Sequence, residues 1–257
     1  MPSPIVTLTT DWGYNDFFAG MVKGRLYSSI PEVRVVDITH GLAPYDLLSA
    51  PFMVQNSCMT FPEGTIHIID VLSEENENQG FVVVYSKGQY FICANNGLPY
   101  MVFKDDYDKV VEINPMWSNE SYNFAAYEIF CPVAQKLALG VSIDEIGSEA
   151  KLYEQRLLLY MHSNDLIQTH VFHIDHYGNA YLDIRYNDFI DILNGRRFEI
   201  SFNLIATIRD VKFAYADCER PSLTVSDLGY LEVAMYKGRA SDILGIRPHD
   251  IVKIRIK

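Results

Sequence analysis

The chain has 257 residues, 49% of them hydrophobic and 13% aromatic, which is enough to bury a full core in one large or two modest domains. Its net charge of −12 argues against nucleic acid as a partner, because an acidic surface repels phosphate backbones. The first residues lead directly into an apolar run without a basic leader, and no stretch is long enough to cross a bilayer. The four cysteines lack CxxC spacing. We therefore expect a cytoplasmic protein with free thiols that does not bind membranes.

In the first half of the chain, short β-branched runs alternate with helical patterns. This rhythm favours an α/β domain with a mostly parallel or mixed sheet flanked by helices. A hairpin over residues 81–94 turns at Lys87-Gly88, and a further helix is expected over about residues 130–139. The preceding elements, in chain order, are a strand at 5–9, a helix at 17–29, a strand at 33–38, a helix at 46–58 and a strand at 65–70.

From about residue 157 onward the pattern changes to many short alternating runs, which predict a small antiparallel barrel or sandwich. We place the boundary between Gly147 and Asn164. The expected domains are therefore an N-terminal α/β domain over residues 1–155 and a smaller C-terminal β-barrel domain over residues 165–257. Residues 73–80, rich in Glu and Asn, are predicted to form an exposed loop.

Two acidic residues follow the first predicted strand. Asp11 lies just past its carboxyl end, and Asp16 lies near the start of the next helix. Ligands of open α/β sheets bind at that edge, and a carboxylate there can accept hydrogen bonds from a ribose diol. For these two residues taken alone, local roles are the simpler interpretation, with Asp16 capping the helix and Asp11 forming an Asx turn.

The segment containing these aspartates, residues 10–24, resembles the opening of the S-adenosylmethionine (SAM) hydrolases, also called SAM hydroxide adenosyltransferases, and of the related SAM-dependent fluorinases and chlorinases. Further blocks resemble the family in the same order along nearly the whole chain. They are Val36-Asp37-Ile38-Thr39-His40, Pro44-Tyr45-Asp46, Phe61-Pro62-Glu63-Gly64-Thr65-Ile66-His67, Gly88-Gln89-Tyr90-Phe91, Asn95-Asn96-Gly97, Ile129-Phe130-Cys131-Pro132-Val133-Ala134, Ile174-Asp175-His176-Tyr177-Gly178-Asn179 and Gly229-Tyr230-Leu231-Glu232-Val233-Ala234.

The resemblance implies an N-terminal α/β domain, a C-terminal β-barrel and a homotrimer with active sites between the N-domain of one subunit and the C-domain of its neighbour. It also implies an S_N2 attack on the ribose C5′ of SAM that expels methionine. The nucleophile is water or hydroxide in the hydrolases and a halide ion in the halogenases. SAM is then the substrate, and no cofactor is expected.

The resemblance also implies a set of binding residues. Asp11 would hold the ribose diol and Asp16 would face the methionine end. Tyr45 would supply an aromatic wall, since it stands where the halogenases carry a tryptophan. Asn96 matches its short motif, although Asn95 replaces the usual aspartate. The remaining pair is Asp175 and Asn179. These two would contact the methionine and adenine ends of SAM, but they could also form a simple turn between two strands.

The water-activating Asp, Arg and His of the hydrolases are replaced here. Ungapped alignment from His67 puts Leu72 at the Asp position, and the Arg position falls near Gln79, while Ala125 occupies the His position. These side chains cannot orient and deprotonate water, and the halogenase Tyr at position 72 is absent as well. The remaining candidates are Asp70, on the same strand face two residues earlier, and a loop glutamate folding back, Glu74 or Glu75.

Two further differences lie in the C-terminal half. Asp227 stands where the family usually has a polar pair containing Ser, so it would repel the methionine carboxylate of SAM but not a nucleoside. Tyr236 stands where an Asn is common in the family. His173 and Asp175 share a strand face as zinc ligands could, but no third ligand is evident and no metal site is expected.

Two hypotheses follow. The intact binding residues favour a SAM-binding enzyme that forms adenosine and methionine by attack at C5′, with halogenation as a less favoured outcome. The replaced residues at 72, 79 and 125 favour instead a nucleoside-binding or structural trimer that has lost catalysis. In either case the partner is a small adenosyl ligand.

Overall fold

The computed structural model of the chain describes residues 3–74, 80–114, 123–155, 160–202 and 206–257. Two compact units divide the chain, residues 1–156 and residues 157–257. Each unit has a β-sheet and a hydrophobic core of its own. Within the described ranges, no helix is long and apolar enough to cross a membrane.

The N-terminal unit is built on a mixed sheet with the strand order β2-β1-β3-β5-β4-β6-β7. The pairings β1–β2, β1–β3 and β3–β5 are parallel, whereas β4 pairs antiparallel with β5 and β6, and β6 with β7. The strands are β1 (Ile5–Thr10), β2 (Arg34–Thr39), β3 (Ile66–Asp70), β4 (Phe81–Ser86), β5 (Gln89–Ala94), β6 (Lys109–Ile113) and β7 (Gly147–Glu149).

Helices cover both faces of this sheet. Apolar side chains of alternating strand positions pack into two clusters, one with α1 and α4 and the other with α2 and α3. Such double coverage explains why β3 is buried along its whole length. The helices are α1 (Phe18–Ser29), α2 (Ser49–Ser57), α3 (Leu98–Phe103), α4 (Cys131–Ala138) and α5 (Ile143–Ile146), with a 3₁₀ turn at Cys58–Thr60 and a π-helical turn at Ala126–Phe130.

The C-terminal unit is a curled sheet that forms a half-barrel, with the strand order β12-β11-β16-β9-β10-β15-β14-β13 and β8 paired to β9. Its pairs are antiparallel except β13–β14. The strands are β8 (Tyr160–His162), β9 (Leu166–Ile174), β10 (Ala180–Arg185), β11 (Phe198–Phe202), β12 (Ala206–Ile208), β13 (Val211–Lys212), β14 (Ser222–Val225), β15 (Tyr230–Ala234) and β16 (Ile251–Ile256). Two helices, α6 (Tyr186–Leu193) and α7 (Ala240–Leu244), complete its core.

The predicted fold class is confirmed, with a mixed sheet between helices followed by a curled antiparallel sheet. The hairpin of β4 and β5 has the predicted bounds, and Lys87 and Gly88 both have the positive φ that its two-residue turn requires. The second helix begins at Ser49 rather than at Asp46. The Asp46 carboxylate instead accepts hydrogen bonds from the main-chain N–H groups of Leu48 and Ser49, as a residue before a helix does.

Candidate functional site

The carboxyl ends of β1 and β3 open into a cavity of about 680 Å³ in the N-terminal unit. Asp11 directly follows β1, and Asp70 is the last residue of β3, where it pairs with Thr10 of β1. Because parallel neighbours end at the same sheet edge, both carboxyl groups face one space. The lining residues are Asp11, Trp12, Phe18, Pro44, Tyr45, Asp70, Leu72, Ser73, Glu74, Asn123, Phe124 and Ala125.

Asp11 is held by the main chain across the cavity mouth. Its Oδ2 atom accepts a hydrogen bond of 2.8 Å from the Tyr45 main-chain N–H. Burial raises the pKa of Asp11, while main-chain groups of Tyr45, Asp11 itself and Leu72 partly offset that rise and the nearby Glu74 adds to it. This long-range bond replaces the Asx turn of the simpler interpretation and fixes a carboxylate that can accept further hydrogen bonds from a ligand.

Asp70 is the more deeply buried carboxyl group, with only 6% of the residue exposed. The Trp12 indole N–H donates a hydrogen bond of 2.8 Å to its Oδ2 atom. Burial raises the pKa of Asp70 to about 6; the Ser73 hydroxyl and the Trp12 indole limit the rise, and Asp11 adds to it. A carboxyl group with this pKa exchanges its proton close to neutral pH.

An aromatic wall stands beside the two aspartates. The Phe124 ring meets the Trp12 ring edge to face at 5.2 Å and the Phe18 ring at the same distance. On the other side, Trp12 stacks on His40 with 5.6 Å between ring centroids, and Thr10 Oγ1 lies 2.7 Å from His40 Nδ1. The wall gives the cavity flat apolar surfaces suited to a planar ligand group.

The charges along the cavity are all negative. Asp11, Asp70 and Glu74 line it, and no Lys, Arg or His is found among the described lining residues. Such a lining favours hydroxyl-rich or cationic ligands over phosphates and carboxylates. The volume of the cavity lies within the range of about 300–1,000 Å³ that is typical of small-molecule sites.

The structure brings two of the predicted N-terminal binding residues to the cavity, Asp11 and Tyr45. Tyr45 is 60% exposed and has a φ of 66°, in the left-handed region that non-glycine residues rarely adopt. Asp16 is exposed and is not among the lining residues; its Oδ1 accepts from the Phe17 N–H, and α1 has no side-chain cap. The predicted helix-capping role of Asp16 is therefore not seen.

Asn96 is buried and is not among the residues that line the cavity. Its Nδ2 donates to the carbonyl oxygens of Val71 at 2.9 Å and Leu72 at 3.0 Å, and its Oδ1 accepts from the Leu98 N–H at 3.1 Å. These bonds join the end of β3 to the start of α3. Asn96 therefore positions the cavity wall in this structure.

Asp175 and Asn179 form the turn between β9 and β10 in the C-terminal unit. The Asp175 carboxylate accepts from the Asn179 main-chain N–H at 2.8 Å and from its side-chain Nδ2 at 3.0 Å. Both residues also line a second cavity, of about 570 Å³. The turn and the cavity wall are thus formed by the same residues, and the proposed ligand role of this pair remains a prediction.

The second cavity also contains Tyr236, which the sequence marked as a departure from the family, and three residues that the sequence did not single out, Tyr215, Lys237 and Arg239. Lys237 and Arg239 line it and carry positive charge, which Asp242 partly balances because it pairs with Arg239 Nε at 2.5 Å, while Tyr236 and Tyr215 add aromatic surface. Beneath them the buried Glu232 carboxylate accepts from the Tyr215 hydroxyl at 2.7 and 2.6 Å. These residues belong to separate strands and turns, so only the folded chain brings them together.

The positions predicted to have lost water-activating residues can be located in part. Leu72 and Ala125 both line the N-terminal cavity, and Leu72 has a left-handed φ of 49°. Gln79 and Glu75 lie outside the described residues. Asp227 is not among the residues lining the second cavity, although its charge helps to raise the pKa of Glu232. Within the described ranges no group of three His, Cys, Asp or Glu residues could hold a metal ion.

Known proteins are similar in sequence to this chain over most of its length. An (R)-S-adenosyl-L-methionine hydrolase of Methanocaldococcus jannaschii is 22% identical over 97% of this chain and 95% of its own. A hydrolase of the same name from Salinispora arenicola is 25% identical over 98% of both chains. A fluorinase of Nocardia brasiliensis is 23% identical over 72% of both.

The fold is shared with solved structures. An uncharacterized conserved protein of Thermotoga maritima has a TM-score of 0.83 and 23% identity, covering 97% of this chain and 99% of its own. The SAM hydroxide adenosyltransferase N-terminal domain matches residues 6–147, and the C-terminal domain of the same family matches residues 169–253. Since these two domains span most of the sequence in the family's order, the chain belongs to the SAM hydroxide adenosyltransferase family.

Proposed function

We propose that this protein binds S-adenosylmethionine and hydrolyses it to adenosine and methionine. The observation that carries the proposal is the fixed Asp11 carboxylate at the sheet edge of a cavity with an aromatic wall, in a chain of this family. Relatives named (R)-S-adenosyl-L-methionine hydrolase match nearly the full length of both chains, which supports hydrolysis ahead of halide transfer.

The reaction is a single displacement at carbon. A water oxygen forms a bond to the ribose C5′ while the bond between C5′ and sulfur breaks. The electron pair of that bond passes to sulfur, so the sulfonium becomes the neutral thioether of methionine, and the water gives up one proton. Holding water and sulfonium in line supplies a large share of the rate, because orientation alone can lower such a barrier by about 7–11 kcal/mol.

The charges of the two cavities suit the two ends of SAM. Asp11, Asp70 and Glu74 favour a ribose diol and a cationic sulfonium. The rings that line the cavity, of Trp12, Phe18 and Phe124, offer a surface for flat groups. In the C-terminal unit, Lys237 and Arg239 can attract the methionine carboxylate, which offsets the repulsion expected from Asp227. We also propose that Asp175 and Asn179 contact the methionine and adenine ends, with Asp16 near the methionine end.

We further propose a cytoplasmic homotrimer in which the N-terminal cavity of one subunit faces the C-terminal cavity of a neighbour. The support is the family membership and the presence of one cavity in each unit. SAM is the substrate in this proposal, and the reaction as written needs no resident cofactor.

The test is to incubate the purified protein with SAM and to separate the products by chromatography. We expect adenosine and methionine in equal amounts, and no 5′-halogenated nucleoside when chloride is added. Asp11→Asn should weaken SAM binding measured by calorimetry by about 10- to 100-fold, since hydrogen bonds to charged groups contribute about 1.5–3 kcal/mol. Binding without any product would favour the nucleoside-binding alternative, and calorimetry that shows binding of neither SAM nor adenosine would leave only a structural role.

A further inference from the structure

A carboxyl group and a hydroxyl group lie close together in the wall of the N-terminal cavity. Asp70 ends β3, lines the cavity and is anchored through one oxygen by the Trp12 indole N–H at 2.8 Å. The Ser73 Oγ atom is buried, lines the same cavity and makes no hydrogen bond of full geometry within the described residues, although its hydroxyl lies close to the Asp70 carboxyl group. It lies near enough to Asp70 to lower the pKa of that carboxyl group.

A buried hydroxyl that lacks a well-formed hydrogen bond costs free energy unless something bonds to it. A water molecule between Ser73 and Asp70 would satisfy the hydroxyl and would itself be held by a carboxylate. The other carboxyl groups of the cavity are less suited to this role. Asp11 accepts from the Tyr45 main chain at the cavity mouth, and Glu74 is exposed.

We propose that Asp70 is the general base of the hydrolysis and that Ser73 is a positioning residue for the attacking water. This inference rests on the proposed function. The water oxygen forms its bond to C5′ as the bond between C5′ and sulfur breaks, and the proton it loses passes to the Asp70 carboxylate. Asp70 thus does the work that the side chains of Leu72 and Ala125, which line the same cavity, cannot do.

The environment of Asp70 sets the pH dependence of this step. Burial raises its pKa to about 6, the Ser73 hydroxyl and the Trp12 indole lower it, and Asp11 raises it. Glu74 acts on Asp11, and the Cys131 thiol of α4 is also close enough to interact with Asp70. Since the base works when ionised, turnover should rise with pH through about 6 and level off above it.

The first experiment compares Asp70→Asn with Asp106→Asn. Asp106 is an exposed aspartate that pairs with Lys87 and does not line the cavity, so it is the matched control. Asparagine keeps an acceptor for the Trp12 N–H but cannot take a proton. We expect kcat for adenosine release to fall by about 100-fold or more in Asp70→Asn, with calorimetric SAM affinity retained, and to stay unchanged in Asp106→Asn. Turnover of Asp70→Asn within a few-fold of the unmodified protein would overturn the inference. Absence of adenosine from the unmodified protein would instead overturn the proposed function.

The second experiment stays informative if Asp70→Asn fails to fold. Ser73→Ala removes the hydroxyl that lowers the pKa of Asp70, so the acidic limb of the kcat profile should move to higher pH and the plateau should drop. Ser73→Thr keeps the hydroxyl and should keep the position of the limb. An unshifted limb in Ser73→Ala would contradict the assignment of Ser73 and Asp70 as a working pair.

Discussion

Glu232 is a buried carboxyl group whose ionisation opposes folding. Burial raises its pKa from 4.5 to about 7, the Tyr215 hydroxyl limits this rise, and Asp175 and Asp227 add to it. Between pH 4.5 and 7 the folded chain therefore binds more protons at this position than the unfolded chain does. Its contribution to stability is fully present below about pH 4.5 and is lost as the pH rises through about 7.

Glutamine at position 232 cannot ionise, so Glu232→Gln should reduce the fall of the melting temperature between pH 5 and 7. In a chain of this length, each kcal/mol of unfolding free energy corresponds to about 2–4 °C in melting temperature. Scanning calorimetry at several pH values measures this slope. Glu199→Gln is the control, because Lys257 and Arg209 lower the pKa of Glu199 and its contribution disappears only below pH 4.5. Equal slopes in Glu232→Gln and the unmodified protein would show that Glu232 does not carry the effect.

Single residues differ in how far the sequence alone could assign them. Asp11 could be predicted, since it follows a strand whose end forms the ligand edge of an α/β sheet. Ser73 could not, because a serine in a polar segment is usually a solvated loop residue and only the folded chain buries its Oγ beside Asp70. Burial against a distant element leaves no local pattern.

The end of β3 is joined to the start of α3 by one buried side chain. Asn96 makes three hydrogen bonds to main-chain atoms of the two elements and is 6% exposed. Asn96→Ala should lower the free energy of unfolding by about 1–3 kcal/mol, because buried carbonyl and N–H groups lose their partners. Chemical denaturation measures the change.

Asn95→Ala provides the matched comparison, since the neighbouring side chain also bonds to main-chain atoms, of Lys151 and Tyr153, but in an exposed setting. We expect it to cost less, because water can replace those bonds. A larger loss for Asn95→Ala than for Asn96→Ala would show that Asn96 does not hold the strand end.

Elements with a clear signal in the hydrophobic pattern were predictable, and those without one were not. The hairpin of β4 and β5 follows from a two-residue turn and apolar strands. The π-helical turn at Ala126–Phe130 gave no signal in the apolar pattern. There the Cys131 N–H bonds to the Ala126 carbonyl five residues back, and Pro132 has no N–H to continue the ordinary ladder.

For the whole molecule, the proposed trimer predicts a mass in solution of three times the 29.4 kDa of one chain. Several large side chains are more than half exposed in the isolated chain and could be covered by a neighbour, among them Tyr14, Tyr45, Tyr177 and Phe213. Light scattering coupled to gel filtration measures the mass. A single-chain mass at micromolar concentration would contradict the trimer. Tyr177 is 73% exposed, and Tyr177→Ser should weaken association if the second cavity faces a neighbour.

The hydrogen bonds that hold the N-terminal cavity in shape are made mostly to main-chain atoms. Asp11 bonds to the Tyr45 N–H, and Asn96 bonds to the Val71 and Leu72 carbonyl oxygens. Main-chain atoms are the same whatever side chain a position carries. Mutations at positions 45, 71 and 72 can therefore accumulate over generations without moving the anchored groups. A different side chain can thus be placed at position 72, and with it different chemistry, while the main-chain anchors of Asp11 and Asn96 stay in place.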